Sequence, residues 1–315
     1  MVVNSFPGAT STFMSTSNLN SNFTPGVQAT VGMPFGGGRA MEFDYFSLFP
    51  ANASAVAVKT DPGAVFTFPG DVGGNAFLNM DRVQTDYSSW INSFGVNFLC
   101  CCSCCDVCCN DGGCCQAGDG CCQAQTGDQS GYAVTGRQSF SWFAGFRYLN
   151  VGERLNQTTQ ATVPTPGGPM IENGAYNIRT SNNLYGAQLG ARVRRTQGRF
   201  GWDATGLAGI FGNDAQQSQT VQDFPPGPGP GAVLRNVSNS QGGVAFVGQA
   251  NVSGLYALTN VWNLRAGYNI IWIEGLALAP NQLNYNFAAA QSGSQLNNNG
   301  GIFLHGVNVG LEARW

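Results

Sequence analysis

Residues 304–315 read LHGVNVGLEARW, and their parity decides the fold. Val307, Val309, Leu311, Ala313 and Trp315 fall on one face of an extended chain, and Gly306, Asn308, Gly310, Glu312 and Arg314 on the other. A chain end usually frays, so a large aromatic there is wasted unless something holds it. The last residues are therefore expected to form a strand with one greasy side.

The same alternation recurs upstream. In NVWNLRAGYNIIWIE (260–274), Trp262, Leu264, Ala266, Tyr268, Ile270 and Trp272 oppose Asn263, Arg265, Gly267, Asn269 and Ile271. In FSWFAGFRYLNV (140–151), Phe140, Trp142, Phe146 and Tyr148 oppose Ser141, Phe143, Gly145 and Arg147. NLYGAQLGARVRR (183–195) sets Tyr185, Leu189 and Val193 against Gln188, Arg192 and Arg194, and RFGWDATGLAGIF (199–211) sets Phe200, Trp202 and Ile210 against Asp203 and Thr205. GVAFVGQANVSGLYAL, WINSFGVNF and RAMEFDYFSLF, the last with Glu42 and Asp44 on its polar face, bring the total to eight candidate strands.

Composition agrees with a sheet. Only 10% of the 315 residues are charged, and 44 are glycine, which disfavours helix. A net charge of -3 offers no basic field, so nucleic acid is not an expected partner. No run of 18 apolar residues would make a membrane helix, although a membrane barrel shows none either. Residues 1–38 carry no charge and no sustained period, and are read as a flexible low-complexity lead-in to a barrel over 39–315. They show neither the basic nor the apolar region of a secretory signal, so an exported protein would have to begin upstream of Met1.

The connections alternate in length. TN near 260 and RTQG near 197 are hairpin turns, whereas RLNQTTQATVPTPGGPMIENG, NDAQQSQTVQDFPPGPGPGAVLRNVSNSQ and LALAPNQLNYNFAAAQSGSQLNNNG are read as long loops. Short turns on one rim and long loops on the other are the pattern of an outer-membrane barrel. A soluble β-sandwich alternates too, but its wet face would carry many charges, and here that face is Gly, Gln and Asn with isolated Arg or Glu. Trp262 and Trp272 stand ten residues apart, about 25 Å of height on a tilted strand and close to the thickness of an apolar band. The expected fold is an all-β, antiparallel, up-and-down transmembrane barrel of eight strands. Pairing around AVFTFPG and Phe77, or within LNYNFAAA, would raise the count to ten or twelve.

The terminal aromatic and its alternating neighbours Val307, Val309, Leu311, Ala313 and Trp315 resemble the signal by which outer-membrane barrels are recognised for assembly. WFAGFRYLNVGERLN, TSNNLYGAQLGA, AGIFGN, LRAGYNIIWIEGLALAPNQL and FLHGVNVGLEARW are similar to a family of bacterial outer-membrane β-barrel proteins of the planctomycete type. The resemblance spans residues 39–315, broken by a cysteine block. It implies a fold, an outer-membrane location, and membrane lipids and the barrel-assembly machinery as partners; it assigns no activity to any residue.

Arg147, Arg192, Arg265 and Arg314 are expected to point into the lumen and meet Glu312, Asp203, Glu42 or Asp44, since an unpaired charge in a narrow interior is costly. All 11 cysteines lie in 100–122: Cys100, Cys101, Cys102, Cys104, Cys105, Cys108, Cys109, Cys114, Cys115, Cys121 and Cys122. Disulfides, a soft-metal site for Zn2+ or Cu+, and a variable low-complexity insert on the short-turn rim all fit; the spacing matches no single zinc site, and the insert is the preferred reading. The one histidine, His305, shares the lipid-facing parity but has no serine within its strand and no assignable carboxylate, so catalysis is not expected, nor is a cofactor. The function read from these features is a structural or surface-interaction barrel, the alternative a small-solute pore, with a lipid-acting enzyme less favoured.

Overall fold

The computed structural model describes residues 2–6, 9–14, 23–36, 39–60, 65–70, 72–101, 137–225, 231–287 and 292–313. Strands β3 (Gly26–Gly36), β4 (Arg39–Val58), β6 (Arg82–Cys101), β7 (Arg137–Thr165), β8 (Gly168–Gln197), β9 (Phe200–Phe224), β10 (Ala232–Ala257), β11 (Trp262–Leu276) and β12 (Gly300–Ala313) form one sheet. Its order is β12-β11-β10-β9-β8-β7-β6-β4-β3, antiparallel throughout. A small second sheet pairs β1 (Val2–Phe6) with β2 (Ala9–Met14) and β5 (Phe66–Thr67). Among the described residues β3 and β12 are the edges of the large sheet and do not pair with each other.

The sheet is strongly curled. Arg194 on β8 and Glu312 on β12 are four strand steps apart, about 19 Å in a flat sheet. Their side chains nevertheless meet at 2.9 Å, so the sheet wraps around an interior.

Which face is outside follows from exposure. Trp262, Tyr268 and Trp272 are 47%, 43% and 55% exposed, and Phe146, Leu189, Ile210, Phe246, Phe303 and Val307 share that face. Two packed sheets would have buried them, so the sandwich reading is excluded. The outward apolar residues form a band near the short-turn rim; beyond Tyr148, Tyr185 and Gly212 the outward positions turn to Asn150, Asn183 and Asp214 and stay mainly polar.

All eight segments identified from their alternation are strands. A ninth, Gly26–Gly36, lies inside the stretch read as a lead-in. It pairs along β4 and turns Val27, Val31, Met33 and Phe35 outward. Its inward positions include Gln28, Thr30 and Pro34, and one uncharged strand on a sheet edge leaves little periodicity to read.

The long connections also differ from expectation. RLNQTTQATVPTPGGPMIENG is mostly strand: β7 and β8 run unbroken to a turn at 166–167, where Gly168 takes φ +111°. Most of NDAQQSQTVQDFPPGPGPGAVLRNVSNSQ is likewise the paired ends of β9 and β10. Outside the band the outward residues need no longer be apolar, so the amphipathic signal fades while backbone pairing and inward residues such as Leu155, Ile178 and Val221 continue the ladder. AVFTFPG contributes only β5, and Phe77 sits in a short 3-10 turn, Asn75–Phe77; neither joins the large sheet. The described part of LNYNFAAA is irregular chain.

Candidate functional site

The interior is layered. Nearest the short-turn rim is a charged layer. Arg147 donates to Asp44 at 2.9 Å and to Gln249 Oε1 at 2.9 Å, reaching from β7 to β4 on one side and β10 on the other. Arg192 grips Glu42 with two bonds of 2.9 Å, and Arg194 grips Glu312 at 2.9 and 3.1 Å. Arg265 donates to Asp203 and to Asn251 at 2.9 Å, and to Ser253 at 3.1 Å. Among the described residues each of these four arginines therefore meets its own carboxylate, and the four pairs are formally neutral. Low dielectric makes such pairing obligatory, and the planar guanidinium fork can hold both carboxylate oxygens, which suits arginine over lysine here. Small residues make the room: a Cβ on Gly95 would strike the Asp44 carboxylate.

Glu312 is thus held by Arg194, which the sequence reading placed on the polar face without assigning it a partner. Arg314 and Trp315 lie outside the described residues.

Above the charges lies an apolar layer. Ile91, Leu149, Val151, Leu184, Phe211, Ala245, Val247, Ile271 and Ile273 are buried in one cluster, with Phe46, Leu48, Ile302 and Leu304 packed against it. These come from β4, β6, β7, β8, β9, β10, β11 and β12, so side chains from eight strands meet across the lumen. The sequence reading missed this layer because it treated the whole second parity as polar. The signal was present in YLNV, GIF and NIIWI, where both parities are apolar over a few residues.

Above that layer two segments fold inward between the long hairpins. The first, within 65–80, brings Phe66, Phe68, Phe77 and Met80. The second, a strap within 277–299, brings Ala279, Tyr285 and Phe287 to the same cluster, where the rings of Phe68 and Tyr285 stack at 4.2 Å. Polar anchors fix the strap. Glu153 accepts from Tyr87 Oη at 2.6 Å and from the Ala279 backbone N–H at 2.7 Å, and Asn182 donates to the Ala277 carbonyl at 2.9 Å. Arg235, 4% exposed, donates to the Asn284 carbonyl at 2.7 Å, to the Asn286 carbonyl, to Ser292 Oγ at 3.0 Å and to Gln219 Oε1 at 3.1 Å. Its guanidinium also lies 5.1 Å from the centre of the Phe287 ring. Burial pushes the Arg235 pKa down, and the Tyr176 hydroxyl beside it works the other way. Burial likewise raises the phenols of Tyr176 and Tyr285. Glu172, buried on β8, is pushed up to about 7 by burial and by Asp223 on β9.

Val307, Val309 and Leu311 face outward and are 65–77% exposed, and Ala313 is half-buried at the strand end. His305 is outward too, with Nδ1 on the hydroxyl of Tyr268 and its ring against Phe303. Cys100, with a free thiol, ends the outward parity of β6; Cys101 closes that strand, and Cys102, Cys104, Cys105, Cys108, Cys109, Cys114, Cys115, Cys121 and Cys122 lie outside the described residues.

Comparison with known proteins gives one family. The model of the family described as Putative beta barrel porin-7 (BBP7) matches residues 82–315. No curated protein and no solved structure matches the chain.

Proposed function

Since the chain belongs to the beta barrel porin-7 family, which places its fold among outer-membrane barrels, we propose that its role is structural and in surface interaction, with the interior serving as a packed core rather than a conduit. The observation that carries this reading is the apolar layer, in which buried side chains from eight strands pack into one cluster across the interior. A water-filled channel needs a polar lining, whereas a small barrel fills its interior with side chains. In this reading the short-turn rim is periplasmic, together with the cysteine block and Trp315, and the assembly machinery reads the terminal strand. The β7–β8 and β9–β10 hairpins then stand outside the cell as a rigid display surface.

Planar-bilayer recording of heat-modifiable protein tests the reading. The wild type is expected to insert without steady conductance. Stable ohmic conductance from the wild type would refute it and favour the small-solute pore, in which the inward strap and apolar layer would have to move aside.

A further inference from the structure

On the outward face of the long hairpins, just above the apolar band, Arg154 on β7 and Arg179 on β8 stand directly opposite each other in the ladder. Both are exposed, and neither has a hydrogen bond or carboxylate partner among the described residues. Like charges opposed across a pair of strands are destabilising, so the arrangement is costly to the fold alone. Nearby acids are engaged elsewhere: Asp86 accepts from Ser54 and Gln84, and Asp214 from Gln216. Around the two cations Asn156, Asn177, Ser218 and Thr220 complete a polar recess of about 320 Å³.

Height fixes what can reach it. Trp90 lies over Gly152, and the Tyr148 and Tyr185 rings pack at 4.9 Å, so aromatic side chains mark the upper edge of the band here. Arg154 is two residues beyond Gly152, where Trp90 sits, and six beyond Tyr148, roughly 5 Å and 15 Å further along a tilted strand, which is headgroup level rather than acyl level. A phosphate monoester carries nearly two negative charges and several strong acceptors, matching two guanidinium groups with amide and hydroxyl donors around them.

We propose that Arg154 and Arg179, with Asn156, Asn177, Ser218 and Thr220, bind the phosphate-monoester headgroup of a lipid in the surrounding leaflet. The inference rests on the membrane reading given above, because only a lipid-facing wall brings headgroups to this height. The bound anion replaces the Arg154–Arg179 repulsion with two charge-assisted contacts, and so ties the protruding hairpin to the membrane surface.

The full chain in phosphatidylcholine nanodiscs with a minor fraction of phosphatidic acid provides the test, read by native mass spectrometry of the retained lipid. The wild type should retain phosphatidic acid preferentially, and the preference should fall about tenfold in Arg154→Gln/Arg179→Gln and survive in Arg154→Lys/Arg179→Lys. In neutral detergent the Gln variant should melt no lower than the wild type, because a repulsion has been removed. Unchanged preference in the Gln variant would overturn the proposal, as would displacement of the lipid by equimolar inorganic phosphate or a lower melting point in neutral detergent. Protein that inserts and shows no preference refutes the headgroup site alone; protein that does not insert refutes the membrane reading and the site with it.

Discussion

Replacing Arg235 with alanine is expected to release the inward strap without unfolding the sheet. Three of the guanidinium's contacts are to the strap itself: the carbonyls of Asn284 and Asn286 and the hydroxyl of Ser292. Hydrogen bonds to a charged group contribute about 1.5 kcal/mol each at the low end, roughly 4–5 kcal/mol for three. Part of that offsets the cost of burying an arginine that has no carboxylate partner among the described residues, which leaves a net loss of about 3 kcal/mol. In local-opening terms this is on the order of a hundredfold more open strap. Amide hydrogen exchange reads it directly: protection at 277–287 and 292–299 should fall by about two decades, while the β7–β8 ladder keeps its protection. Arg235→Lys should lie between, because the ammonium keeps the charge but lacks the fork that reaches two carbonyls at once. Wild-type protection of the strap in Arg235→Ala would refute the clamp, and equal loss across β7 and β8 would show that Arg235 supports the sheet and not the strap alone.

Glu172 gives a pH dependence whose sign is set by its raised pKa of about 7 against an ordinary 4.5. The folded chain holds this proton more tightly than the unfolded one, so the stabilisation is fully present below about 4.5 and is lost as pH rises through about 7. Thermal melts of the outer hairpins should show this, Glu172→Gln should flatten it, and an unchanged slope in that variant would count against it. Gly190→Leu places a side chain against the Phe143 ring and the Gly206 carbonyl and should cost about 1–3 kcal/mol in denaturant unfolding; a neutral result would mean that the Phe143 ring can move away. Deleting residues 102–122 should leave heat-modifiable, membrane-inserted protein, since a longer loop costs only about 0.6 kcal/mol per doubling. Loss of folding on that deletion, reproduced in the intact chain by chelators or by reductants, would instead make the block a metal site or a disulfide staple. Removing Trp315 should reduce assembled protein far more than synthesis, and a normal folded yield would refute its role as an assembly signal.

What the sequence determined by itself is local. Period-two alternation marked eight strands and chose which of their faces looks outward, because adjacent side chains on a strand must point to opposite sides. Parity also placed Arg147, Arg192 and Arg265 together with Glu42, Asp44 and Asp203 on the inner face. Tertiary structure decided the rest. Alternation does not say which strands curl towards each other, so only the wrapped sheet joins Arg194 to Glu312 across four strand steps. The outer halves of β7, β8, β9 and β10 read as loops because water on the outward face removes the apolar half of the pattern, while backbone pairing across the hairpin keeps them extended. The apolar layer and the strap held by Glu153 and Arg235 are contacts between residues far apart in the chain, 126 positions in the case of Glu153 and Ala279. They exist because an enclosed interior must be filled and its polar groups satisfied, and no periodicity along the chain records which distant segment does so.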